Sequence, residues 1–176
     1  MLLVAATLEH IEAELRGSSS LQAILGATVP ADWPPGEYDR SAVEYFRSRL
    51  LIEDLSSTGW LTWYALTRTS TGARDVLVAG AGFFGPPSDG VVEIGYSVVS
   101  SAQRRGYATE IVTALCDFAF SHDDVRSVIA HTVPENVASW RALLRCGFAE
   151  APLSSQPGTL EYVRTRGKDC WPCEQT

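Results

Sequence analysis

Residues Val91 to Phe148 read VVEIGYSVVSSAQRRGYATEIVTALCDFAFSHDDVRSVIAHTVPENVASWRALLRCGF, and the alternation at the start of this stretch decides how the chain folds. Val92, Ile94, Tyr96 and Val98 alternate with Glu93, Gly95 and Ser97, the period-two pattern of a strand with two unlike faces over Val91 to Val99. The loop Gln103-Arg104-Arg105-Gly106-Tyr107-Ala108-Thr109 follows at once. Beyond it Ala108, Ile111, Val112, Leu115 and Ala119 recur at helical spacing, which predicts a helix whose first turn is formed by the loop's own last residues. A second apolar strand, Ser127 to Thr132, completes strand, loop, helix and strand in about forty residues.

Such a unit is a right-handed crossover between parallel strands, with the loop at the carboxyl end of the first. There the unpaired amides of the helix's first turn, the positive end of its dipole, Arg104 and Arg105 converge on one spot suited to a diphosphate. Gly106 would let the main chain approach an oxygen closely and take a positive φ. Two arginines beside a glycine also occur in ordinary surface loops, so the loop alone leaves both readings open.

Gln103-Arg104-Arg105-Gly106-Tyr107-Ala108 resembles the acyl-CoA pyrophosphate loop of the GNAT acetyltransferases, Q/R-x-x-G-x-G/A. Asn136-Val137-Ala138-Ser139, with Gly147-Phe148 closing the following helix, is similar to that superfamily's second signature. The EIGY strand, the Tyr-Ala-Thr-Glu after the glycine and the Asn-x-x-Ser helix most resemble the branch that includes the RimJ and RimL ribosomal-protein N-terminal acetyltransferases. The resemblance lies in Val91 to Phe148, and its strength is the order and spacing of its parts.

The composition narrows the function classes. A chain of 176 residues, 45% hydrophobic, suits one globular domain over 1–176, with 168–176 as a tail. The longest apolar run, Val76 to Phe84, is too short to span a bilayer, and Met1-Leu2-Leu3-Val4 lacks a signal-peptide pattern, so a soluble cytoplasmic protein without a membrane partner is expected. A net charge of −7 argues against a nucleic-acid partner and fits a cationic one such as an amine. Lys168 is the sole lysine among 14 basic residues, which excludes a Gly-Lys-Ser/Thr phosphate loop. Cys116 and Cys146 read as small core residues. Cys170-Trp171-Pro172-Cys173 has metal and redox spacing, but without a second pair or a following helix it reads as tail, and no metal site is expected. A tail disulfide, a metal shared across a dimer and a homodimer itself all stay open.

Elsewhere the pattern predicts a strand over Met1 to Ala6, a helix capped by Thr7 and stopped by Gly17, and a short helix capped by Ser18 to Ser20 and ended by Gly26. Pro30, Pro34 and Pro35 make Val29 to Tyr38 a loop. Asp39 or Ser41 should cap a helix to about Glu53, with Val43, Phe46, Leu50 and Leu51 inward. Strands are expected over Trp60 to Thr69 and Asp75 to Phe84 around a turn at Ser70 to Arg74, then a short strand from Gly147 to about Leu153 and a last one over Thr159 to Arg166. Gly80-Ala81-Gly82-Phe83-Phe84-Gly85 matches a dinucleotide fingerprint, but Pro86-Pro87-Ser88-Asp89-Gly90 supplies hairpin chemistry where a helix must begin. The two glycines read instead as leaving room for a side chain or a substrate. The layout is an α/β fold of the α+β type: a mixed, mostly antiparallel sheet of about seven strands, helices on both faces, and one parallel βαβ crossover.

The resemblance implies acetyl-CoA as co-substrate. Its diphosphate would lie on Arg104 to Thr109 beside Gln103, and its pantetheine arm beside Tyr96, Val98 and Val99, where the family's sheet splays. Asn136 would reach the pantetheine amide or simply cap its helix, and Ser139 would approach the sulfur. Where many members carry a tyrosine that protonates the thiolate, this chain has Leu143, which leaves Ser139 or water. Glu93 is the candidate for removing the amine's proton, against the reading of a solvated or paired strand glutamate. The loop bearing Trp33 and Tyr38 would line the substrate side of the cleft, although Trp33 also reads as a plug at the core's edge. Three functions are therefore carried: N-acetylation of a primary amine such as a protein N-terminus, acetylation of a small amine (polyamine, amino acid or aminoglycoside), and a non-catalytic acyl-CoA sensor.

Overall fold

Local chemistry sets the ends of most helices in the computed structural model, which describes residues 1–36, 38–52, 59–68 and 75–167. Thr7 closes a capping box ahead of α1 (Leu8–Arg16): its hydroxyl accepts from the His10 amide, while the His10 ring accepts from the Thr7 amide. Gly17 ends α1 and leads directly into α2 (Ser18–Leu25), so the expected serine cap is absent and Gly17 holds that position without a side-chain bond. Asp39 opens α3 (Arg40–Ile52), its Oδ1 accepting from the amides of Ser41 at 2.9 Å and Ala42 at 3.1 Å. Val43 is buried in α3, but Leu51 is 54% exposed and does not face inward. Eight residues on from Val43, the helix has carried it about 80° around its axis.

Strands β1 (Leu2–Ala5), β2 (Thr62–Leu66), β3 (Leu77–Phe83), β4 (Val91–Val98), β5 (Ser127–Thr132), β6 (Ala149–Glu150) and β7 (Leu160–Thr165) form one seven-stranded sheet in the order β1-β2-β3-β4-β5-β7-β6. Each pairing is antiparallel except that of β4 with β5, which α4 (Tyr107–Phe120) joins as a crossover. The mixed sheet with one parallel unit is thus as the alternation implied. β2 is shorter than expected, because Trp60 leaves the strand to pack edge-on against Phe83 and Phe118. β6 keeps only two residues. β3 runs into a hairpin in which Ser88 and Val91 exchange N–H···O bonds of 3.0 and 2.9 Å, so the Gly80–Gly85 fingerprint opens no helix. The expected turn at 70–74 and the Cys170/Cys173 tail lie outside the described residues, and among those described no helix is long and apolar enough to cross a membrane.

The helices divide between the faces. Tyr64 and Gly80 lie on the face covered by α1 to α3, with the Tyr64 hydroxyl bonded to Glu14 of α1 and Gly80 under the Tyr38 ring. Trp63 and Phe83 lie on the other, against Phe118 of α4. Val92, Ile94 and Val128 are buried with Ile111, Val112 and Leu115 of α4, each at 2% exposure or less. Burial of such a side chain contributes about 1.5–3 kcal/mol, so this layer fixes the crossover.

Candidate active site

The parallel pair is short. β4 and β5 pair only from Val91 to Glu93 against Ser127 to Ile129, and beyond that point they diverge. On the other edge β4 stays zipped to β3, with Phe84 N–H donating to the Glu93 carbonyl at 3.1 Å and Val99 N–H donating to Val78 at 2.9 Å. Antiparallel ladders turn alternate residues to opposite edges. Glu93, Gly95, Ser97 and Val99 therefore spend their main-chain groups on β3, whereas Tyr96 and Val98 aim theirs into the opening. The Val98 carbonyl already accepts from Gln103 Nε2 at 3.2 Å.

At the carboxyl end of β4, Ser100–Ala102 form one 3₁₀ turn, then Arg104 (φ 61) and Gly106 (φ 86) adopt left-handed conformations ahead of α4. Among the described residues no protein group accepts from the amides of Gly106 to Thr109, no side chain caps the helix, and neither Arg104 nor Arg105 has a partner. A Cβ built on Gly106 would meet nothing within 4 Å. This ring of unpaired donors is positively polarised and open, the property an anionic group needs.

A cavity of about 410 Å³ lies against the opening on the α3 side of the sheet, lined by Tyr38, Phe46, Phe84, Tyr96 and Asn136 among others. Its floor is glycine. A Cβ on Gly80 would lie 3.0 Å from the Tyr38 ring, on Gly95 3.1 Å from Phe84, and on Gly82 2.0 Å from the Leu61 carbonyl oxygen, so the glycines both admit the aromatics and leave the hollow. The loop before α3 forms one wall, pinned where Ser101 N–H and Oγ donate to Asp32 at 2.8 and 3.1 Å. Trp33 takes no part in this wall. Its indole donates to Glu14 at 2.7 Å and it lines a separate cavity beside α1.

Asn136 caps α5 (Val137–Arg145), its Oδ1 accepting from the Ser139 amide at 3.2 Å, and it also lines the large cavity. Ser139 Oγ lies 3.0 Å from the Tyr96 hydroxyl, which also donates to the Ser139 carbonyl at 3.2 Å. Burial pushes the Tyr96 phenol up to about 12, so it holds its proton through the neutral range. Leu143 is fully buried.

Glu93 shares a sheet face with Gly95, whose position lines the cavity, but its carboxylate is engaged. Oε1 lies 2.8 Å from His131 Nδ1 and accepts from Gln156 Nε2 at 3.3 Å. His131 Nε2 lies 3.1 Å from Glu161 Oε2 and 3.0 Å from Ser155 Oγ, and Glu161 also accepts from the Ser155 hydroxyl at 2.6 Å and amide at 2.9 Å. These Ser155 bonds, with His131, hold the Glu161 carboxyl below its ordinary range. Sequence reasoning missed His131, Glu161 and the Tyr96 hydroxyl. Alternation assigns His131 and Glu161 to faces of their own strands, but only the β5–β7 register sets them opposite each other.

A sheet opened between its two parallel strands, free helix amides at one end and a glycine-floored cleft at the other define the class, an acyltransferase domain. The chain belongs to the GNAT acetyltransferase family, whose acetyltransferase (GNAT) domain model matches residues 3–149. It is 29% identical over 125 residues to the uncharacterized N-acetyltransferase YjdG of Bacillus subtilis (strain 168), covering 70% of this chain and 71% of that one. Among solved structures it resembles the ribosomal L7/L12 alpha-N-protein acetyltransferase RimL in complex with coenzyme A, with a TM-score of 0.60, 19% identity and coverage of 93% and 92%. It also resembles the aminoglycoside acetyltransferase AAC(6')-Ib in complex with coenzyme A, with a TM-score of 0.58, 21% identity and coverage of 93% and 94%. At these identities the likeness is one of fold.

Proposed function

We propose that this acyltransferase carries the acetyl group of acetyl-CoA to a primary amine, and that its acceptor is a protein N-terminal α-amino group, as in the RimJ/RimL-like branch. The observation that carries the reading is two sets of unused main-chain donors at the same opening, the amides of Gly106 to Thr109 and those of Tyr96 and Val98 where β5 has left β4. Arg104, Arg105 and the helix amides would hold the diphosphate, and the β4 edge with Asn136 the pantetheine amides. Acetyl-CoA supplies an activated thioester. The residues then have separate tasks: the Tyr96 amide polarises the carbonyl, Glu93 takes a proton from the amine, and Ser139 with the Tyr96 hydroxyl delivers one to the sulfur. The amine nitrogen bonds to the acetyl carbon as the carbon–sulfur bond breaks.

The cavity favours an acceptor with one amine. Its described lining contains no Asp, Glu, Lys or Arg but includes five aromatic residues, so a polycation finds little there to pair with while an N-terminal residue finds apolar walls. An α-amino group titrates at roughly 7.7–8.0 and needs only modest help to lose its proton at neutral pH. The test is release of CoA measured over a panel of short peptides with free N-termini, polyamines, amino acids and aminoglycosides. Turnover confined to the peptides is expected. Faster turnover of an aminoglycoside or polyamine transfers the site to the small-molecule class, and tight acetyl-CoA binding without turnover makes it a sensor.

A further inference from the structure

Glu93 does not stand alone in its site. His131, its side chain 6% exposed, is clamped between two carboxylates, Glu93 from β4 on Nδ1 and Glu161 from β7 on Nε2, while the loop joining β6 to β7 adds Ser155 and Gln156. The Ser155 hydroxyl spends its hydrogen on Glu161, so toward His131 it is an acceptor, and Nε2 carries a hydrogen. The 2.8 Å contact of Nδ1 with Glu93 Oε1 requires a second proton shared between those two atoms. In this geometry the three groups therefore hold two protons. Glu93 Oε2 has no protein partner among the described residues, and the Glu93 side chain is 23% exposed. Gly95, two residues and about 6.6 Å along the same face of β4, lines the cleft.

Resting on the reading of the cleft as an acetyl-CoA-dependent N-acetyltransferase, we propose that Glu93, His131 and Glu161 form one proton-accepting unit, with Glu93 the catalytic residue and His131 a positioning residue that shares its proton. The working form holds one proton fewer than the form described above. The acceptor enters as an ammonium ion and one N–H bond breaks. Its proton passes to Glu93, directly or through a water at Oε2, and is shared with His131 Nδ1, while the electron pair stays on nitrogen as the attacking pair. Once the nitrogen–carbon bond has formed, the nitrogen loses a second proton, which replaces the one that Ser139 and the Tyr96 hydroxyl give to the departing sulfur. Between turnovers the proton leaves to solvent through the exposed side of Glu93. A carboxylate alone stays deprotonated at neutral pH but is too weak a base to hold an amine's proton there, whereas imidazole is the side chain whose charge changes between about pH 5 and 8. Glu161 compensates the positive charge that accumulates on the ring.

The discriminating variant is His131→Asn, whose side-chain amide can keep a hydrogen bond to Glu93 at the place of Nδ1 but cannot take a proton. With the best amine of the panel, kcat is expected to fall at least about tenfold. The acid limb of kcat/KM should move to lower pH or vanish, with the KM for acetyl-CoA and the melting temperature little changed. Glu161→Gln should shift the same limb toward lower pH with a smaller loss of kcat. A purely structural role predicts instead that His131→Asn restores wild-type kcat and pH profile while His131→Ala does not, and that outcome overturns the proposal. Should His131→Asn melt early, Glu161→Gln carries the test, and an unmoved limb in that variant counts equally against the unit. Calorimetric binding of acetyl-CoA to the wild type separates the two levels: its absence defeats the reading of the cleft, while binding and turnover with unmoved limbs in both variants defeat only the unit.

Discussion

Two glutamates lie over the same face of the sheet, one under each half, and they are used in opposite ways. Glu14 of α1 accepts from Trp33 Nε1 at 2.7 Å, the Tyr64 hydroxyl at 2.6 Å and the Tyr38 hydroxyl at 3.2 Å, all three from neutral donors. Burial outweighs these bonds and raises its pKa. Glu93 instead meets an imidazole and keeps one oxygen open to the solvent side. The first carboxylate ties Trp33, Tyr38 and β2 to α1, and its donors exchange no proton near neutrality. The antiparallel half of the sheet thus spends its polar groups on itself, while the half around β4 and β5 leaves amides and an exchangeable proton for others. Stability and chemistry are housed apart.

That separation can be broken by experiment. Gly106→Glu is expected to weaken acetyl-CoA binding at least about 100-fold, roughly 2.7 kcal/mol, by placing a carboxylate among the diphosphate donors. Its fold should persist, since the new side chain meets open space and the left-handed φ costs only about 1–2 kcal/mol. Calorimetry and a thermal melt check both halves of that statement, and unaltered affinity would remove the loop from the site. Glu14→Ala is the mirror case. It orphans three donors at about 1–3 kcal/mol each, so a melting point lower by about 6 °C or more is expected, with acetyl-CoA affinity unchanged. A large loss of affinity in this variant would show that the two halves are coupled.

Two smaller effects sharpen the contrast. Tyr96→Phe should lower kcat about tenfold or less, by removing the partner of Ser139. Because the phenol titrates only at about 12, the pH profile between roughly pH 6 and 9 should keep its shape; a lost limb there would move the titrating group from Glu93 and His131 to Tyr96. For Glu14 the folded pKa lies above its ordinary value of 4.5, so the folded state binds more protons than the unfolded one in that window. Wild-type stability from this group therefore declines as pH rises from 4.5 through the raised value. Glu14→Gln lacks that slope, so its melting temperature relative to wild type should rise across the same range. A constant difference would mean that the three donors offset burial.

Much of this arrangement was legible in the chain itself. Alternation from Val92 to Val98, helical spacing from Ala108 to Ala119 and a glycine ahead of Tyr107 determined the crossover, the mixed sheet and the place of the loop, because each is a matter of neighbours and short periods. Thr7 and Asp39 announced their helices for the same reason. Tertiary structure alone decided where β5 parts from β4, that Gly17 rather than a serine precedes α2, that Leu51 faces outward, and that His131 lies between Glu93 and Glu161. Register between strands distant in sequence is set by the packing of whole faces, and no local period encodes it.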